Sequence, residues 1–145
     1  MLIVLDTTVI FQALYSNVGA SHFILNLVRR QKVHIALSHK VFLEYEAVLN
    51  RKSSLKETGL SSKNVADVLT FLAYVGRSFD THFLFRPNLK DEGDNMFVEL
   101  AVACDARYLV TSNTRDFRSH ELIFDSFKLA TPAEFVQTWR SSHEG

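Results

Sequence analysis

Short runs of apolar residues without polar alternation recur along the chain, separated by stretches with helical spacing. Leu2–Leu5 (LIVL) has the pattern of a strand buried on both faces of a parallel sheet. Asp6-Thr7-Thr8 reads as a turn, followed by a helical stretch from about Val9 to Tyr15, a break over Ser16–Gly19 and a helix from about Ala20 to Gln31. In that second helix Phe23, Ile24, Leu27 and Val28 share a face. Val33–Leu37 (VHIAL) predicts a second strand, and Ser38 is a good N-cap for a helix through Val41, Phe42, Tyr45, Val48 and Leu49.

Arg51–Leu60 is polar and reads as a loop or a frayed extension. Ser61 or Ser62 can cap a helix carrying Val65, Val68, Leu69 and Leu72. Ser78–Phe85 reads as a strand that Pro87 ends, and Asp91–Asn95 as a turn that opens a helix over Phe97, Val98, Leu100, Ala101 and Cys104. Arg107–Thr111 (RYLVT) is another buried strand, and a short apolar segment at Phe127–Ala130 precedes a helix started by Thr131-Pro132. Strands that alternate with helices predict an α/β fold with a central parallel sheet and helices on both faces.

The 145 residues suit one domain spanning 1–145, and 47% apolar against 22% charged residues excludes a disordered chain. A single cysteine, Cys104, allows no intramolecular disulfide, which favours a reducing, cytoplasmic setting. Asp6 interrupts the N-terminal apolar run, so neither a signal peptide nor a membrane span is expected. Sixteen basic and sixteen acidic residues cancel, which argues against a wholly basic polyanion binder. The balance conceals a segregation. Between Arg29 and Lys63 there are eight basic residues and three acids, leaving eight basic and thirteen acidic residues elsewhere.

The acids that interrupt apolar structure carry the candidate chemistry. Asp6 follows a buried strand, at the edge where open parallel sheets bind ligands, although an Asp there also caps a following helix. Glu44 lies between Val41 and Val48 on one helix face, where a carboxylate needs a partner, while Glu46 points to solvent. Asp91, Glu92 and Asp94 crowd a helix start; the helix dipole accommodates one or two, and three repel unless a cation intervenes. Asp94 directly precedes the apolar face. After the RYLV strand, Asn113 and Asp116 are the candidates, with a solvated turn as the competing reading. Oxygen-only ligands suit Mg²⁺ or Mn²⁺. No glycine-rich dinucleotide or P-loop motif and no Gly-x-Ser-x-Gly elbow occurs. His22, His34, His39, His82, His120 and His143 form no His-x-x-x-His pair, so zinc is not expected.

These blocks resemble, in order and over nearly the whole chain, those of PIN-domain proteins: Leu5-Asp6-Thr7-Thr8-Val9, Phe42 to Leu49 (FLEYEAVL), Lys90 to Ala101 (KDEGDNMFVELA) and Ala106 to Thr111 (ARYLVT). The chain is most similar to the bacterial toxin–antitoxin (VapC-like) subgroup. The resemblance implies a PIN-like three-layer α/β/α fold and an endoribonuclease dependent on Mg²⁺ or Mn²⁺. It implies catalytic and metal-ligating roles for Asp6, Glu44, Asp94 and Asp116, with Thr8 and Asn113 supporting the ligands. The family's fourth acid is Asn113 here, with Asp116 three residues on. An antitoxin partner and a homodimer are further implications; Phe11, Leu14 and Tyr15 offer an interface, or else core packing. Within and beside the basic tract, Arg51, Lys52 and Arg115 are candidates for RNA phosphates. The alternative function is a catalytically degenerate PIN-like module that binds RNA or protein. A phospho-accepting switch domain lacks its strand-end Lys, and a haloacid-dehalogenase-like phosphatase lacks its second Asp.

Overall fold

In a computed structural model the apolar runs form a five-stranded, all-parallel sheet of order β3-β2-β1-β4-β5. The structure describes residues 1–81, 92–115, 117 and 127–143, the side chains of 92–95 excepted. The strands are β1 (Leu2–Leu5), β2 (His34–Leu37), β3 (Arg77–Ser78), β4 (Tyr108–Val110) and β5 (Lys128–Ala130). The helices are α1 (Thr7–Tyr15), α2 (Ala20–Arg29), α3 (His39–Leu49), α4 (Lys52–Thr58), α5 (Ser62–Val75), α6 (Glu92–Ala103) and α7 (Pro132–His143). They flank the sheet as a three-layer α/β/α arrangement, as the alternation predicts.

Burial follows strand position. Ile3, Val4 and Leu5 of the central strand are at most 1% exposed, whereas both residues of the edge strand β3 are exposed. That difference explains why LIVL lacks polar alternation: both faces of β1 are covered. The helix starts use the caps read from the sequence. Ser38 accepts from the Val41 amide at 3.2 Å, and Ser61 forms a capping box with Asn64. Thr131 and Glu134 bond reciprocally to each other's amides around Pro132, the first residue of α7.

Three expectations change. The polar segment after Arg51 is not a loop: Lys52–Thr58 is helical, Ser54 is buried, and Gly59 ends the helix in the left-handed region at φ 72°. Contacts with α1 and α3 stabilise this helix despite its thin apolar face. The backbone is already helical at Glu92, where a turn through Asn95 was expected. The strand expected at Ser78–Phe85 is Arg77–Ser78 among the described residues, and 82–85 lie outside them. Gly76 joins α5 to β3 where a Cβ would come within 2.5 Å of Leu37 Cδ1 and 2.8 Å of the Leu72 carbonyl, so only glycine fits that close approach.

The topology places the site. The chain builds outward from β1 through β2 to β3, then returns to lay β4 on the other side of β1. β1 and β4 therefore border the point where the winding reverses, and a crevice opens there at the strands' carboxyl ends. Asp6 follows β1 and Thr111 follows β4.

Candidate active site

Asp6 is 6% exposed and its amide donates to the Val110 carbonyl at 2.9 Å, continuing the β1–β4 ladder by one residue. It occupies the N-cap position of α1, yet its side chain makes no capping hydrogen bond. Oδ2 instead accepts from Thr111 Oγ1 at 2.6 Å and from Thr8 Oγ1 at 3.1 Å. Both hydroxyls land on the same oxygen. Burial raises the Asp6 carboxyl above its ordinary value, against the opposing pull of the Thr111 and Thr8 hydroxyls and the Thr7 and Thr8 amides. A carboxylate in that condition favours a positive partner.

Asp6 lines a cleft of about 580 Å³. Thr7, Thr8, Phe11 and Gln12 of α1 form one wall, Glu44 and Val48 of α3 another, and Arg51, Ser54, Phe97 and Asn113 complete the lining. Two of the four expected acids, Asp6 and Glu44, thus share one cleft with Asn113. Asp94 lies one turn before Phe97 in α6, its side chain outside the described part. Asp116 also lies outside the described residues, as do His82 and His120. Among the described residues no three His, Cys, Asp or Glu side chains cluster as a metal site. Arg51 lines the cleft; Lys52 and Arg115 are exposed and do not.

Several contributors escape a reading of the sequence. Thr111, fully buried, supports Asp6 and also accepts from the Asn113 amide at 3.0 Å, so one hydroxyl organises both strand ends. Tyr45, also fully buried, donates its hydroxyl to the Leu5 carbonyl. The β1–β2 pairing runs through Leu2↔His34 and Ile3↔Ile35, while β1–β4 continues to Leu5↔Val110. Tyr45 therefore satisfies a carbonyl where β2 no longer pairs, and it ties α3, the helix that carries Glu44, to the residue before Asp6. Burial and the charge of Asp6 both push the Tyr45 hydroxyl's pKa upward, which keeps it a donor. Glu99 is 1% exposed in α6, a second buried carboxyl that no spacing singled out. Thr7 Oγ1 is the buried side-chain oxygen left without a hydrogen-bond partner among the described residues. Its residue also lines the cleft.

Among the described lining residues the donor set is hard: carboxylate oxygens from Asp6 and Glu44 and an amide oxygen from Asn113, with no thiolate or imidazole. Such donors fit Mg²⁺ or Mn²⁺ rather than zinc. Comparison with known proteins agrees with the fold. A chain in the crystal structure of VapBC2 from Rickettsia felis, bound to a DNA fragment from their promoter, superimposes with a TM-score of 0.59 at 18% identity. The alignment covers 90% of this chain and 98% of that one. No curated protein is a significant sequence match. The model of the PIN domain matches residues 2–115, from the first strand through the segment that follows β4, and with that span the chain belongs to the PIN-domain family.

Proposed function

We propose that this chain is a divalent-cation-dependent endoribonuclease and the toxin of a toxin–antitoxin pair, working in the cytoplasm as a homodimer. The observation that carries the reading is Asp6: a buried carboxylate at the reversal of the sheet, held by the Thr111 and Thr8 hydroxyls, in a cleft it shares with Glu44. Membership of the PIN family and the likeness to a VapBC2 chain support it. Asp6 and Glu44, with Asp94 and Asp116, would hold the cation. When bound, Mg²⁺ or Mn²⁺ supplies Lewis-acid stabilisation of the phosphodiester and a more acidic water.

The chain's own groups do the positioning. Thr111 and Thr8 fix Oδ2 of Asp6, so its carboxylate need not reorganise as charge develops nearby. Arg51 on the cleft wall offers a planar, permanently charged donor to a phosphate, and Lys52 and Arg115 extend that field outside the cleft. No described helix is long and apolar enough to cross a membrane.

The test is metal titration by calorimetry together with cleavage of single-stranded RNA in Mn²⁺. Asp6→Asn and Asp94→Asn should lose both while staying folded, and Asp116→Asn tests the fourth ligand. Full cleavage by the first two variants would overturn the proposal. Asn113 in the lining, neutral where many members of the family carry an acid, favours one second reading: a degenerate module, which predicts RNA affinity without turnover in the wild type.

A further inference from the structure

One face of α1 borders the cleft as well as the core. Val9, Ile10 and Ala13 are buried inward, whereas Thr7, Thr8, Phe11 and Gln12 line the cleft. With about 3.6 residues per turn, Tyr15 falls one turn beyond Phe11 on that same side, between the directions of Phe11 and Thr8. The rings confirm the alignment: Phe11 and Tyr15 stack with centroids 6.1 Å apart and planes 13° from parallel. Phe11 is half-buried at the cleft, and Tyr15 is 56% exposed. The cleft wall thus continues outward as an aromatic step whose outer ring faces water, roughly 6 Å further along the helix.

We infer that Phe11 and Tyr15 form a base-stacking platform for single-stranded nucleic acid entering the cleft, an inference that rests on the nuclease reading. What distinguishes Tyr15 is that its ring extends the wall of a cleft, and bases stack on such rings without regard to sequence. The strip's composition favours a nucleotide over a second protein surface. The hydroxyl of Thr8 and the amide of Gln12 interleave with the rings on one helix face, and the cationic Arg51 lines the same cleft. Bases on the platform and a phosphate toward Arg51 match the two chemistries of a nucleic-acid strand. Duplex RNA is excluded as the occupant, because its bases are stacked on one another and cannot reach a side wall.

Two measurements on the full chain decide the matter. Fluorescence anisotropy in EDTA reads the affinity for a labelled single-stranded RNA of about ten nucleotides, a length within known single-strand site sizes. Cleavage of the same strand in Mn²⁺ is read separately. Tyr15→Ala should weaken single-strand binding about ten-fold, Tyr15→Trp should restore it, and binding to a duplex of equal length should not change. Phe11→Leu, which keeps the buried part of the side chain, should weaken binding similarly. Unchanged binding in Tyr15→Ala, an equal loss on duplex, or a loss that accompanies dissociation of a wild-type dimer in sedimentation would each overturn the platform. The last outcome would assign the face to a second copy of the chain. Tyr15-dependent binding without cleavage supports the platform and removes the nuclease; cleavage with Tyr15-independent binding does the reverse.

Discussion

Replacing Thr111 by Val removes one hydroxyl and almost no volume, which makes it the cleanest probe of the site's electrostatics. Two hydrogen bonds are lost: the 2.6 Å bond donated to Asp6 Oδ2 and the 3.0 Å bond accepted from the Asn113 amide. The first is a fully buried bond to a carboxylate, a class worth about 1.5–3 kcal/mol, against about 0.5–1.5 kcal/mol for a neutral pair. Asn113 is exposed, so water can replace much of the second. The expected cost is about 2–3 kcal/mol at pH 7, or a fall in Tm of about 5–10 °C for a domain of this size. The cost should depend on pH. Because the folded-state pKa of Asp6 is raised from 3.8, the bond is charge-assisted above that raised value and becomes a neutral pair as pH falls through it. The destabilisation by Thr111→Val should therefore shrink by about half on acidification. Urea denaturation of the wild type, Thr111→Val, Asp6→Asn and the double variant between pH 7 and pH 4 closes a double-mutant cycle, with an expected coupling of about 1–2 kcal/mol at pH 7. Zero coupling, or a penalty independent of pH, would refute the reasoning.

Two further outcomes follow from the same network. Ionised Asp6 costs the fold stability at neutral pH, since burial outweighs its hydroxyl partners; the wild type should gain on Asp6→Asn as pH falls through the raised pKa, and the variant should be the more stable of the two at pH 7 in thermal melts across pH. A variant that melts below the wild type at pH 7 would contradict this. Tyr45→Phe leaves the Leu5 carbonyl buried without its donor and should cost about 1–3 kcal/mol in urea titrations, whereas an unchanged midpoint would show that the hydroxyl holds nothing.

Much of the site was legible one segment at a time. Asp6 after LIVL, Glu44 between Val41 and Val48 and the polar group after RYLV are local irregularities in local patterns, and parallel-sheet rules place strand ends at a crevice. The long-range partners were not legible. Thr111 and Asp6 are separated by 105 positions, and Tyr45 and Leu5 by 40. Neither Thr nor Tyr is unusual in a strand or helix, so no spacing marks them. Helix α4 is not legible in the local sequence, because a helix with few apolar residues is stabilised by tertiary contacts that a local window does not contain.

By itself, then, the sequence determined the element types, the parallel α/β class, most caps and the positions of the candidate acids, because burial on both faces and helix capping are written in neighbouring residues. Only the tertiary structure decided which of these meet. The return of β4 to the side of β1 brings Thr111 onto Asp6, and the end of the β1–β2 pairing lets Tyr45 reach Leu5. It also decided that Tyr15 continues a cleft wall rather than the core, since a helix shows its second face only when its first has been packed.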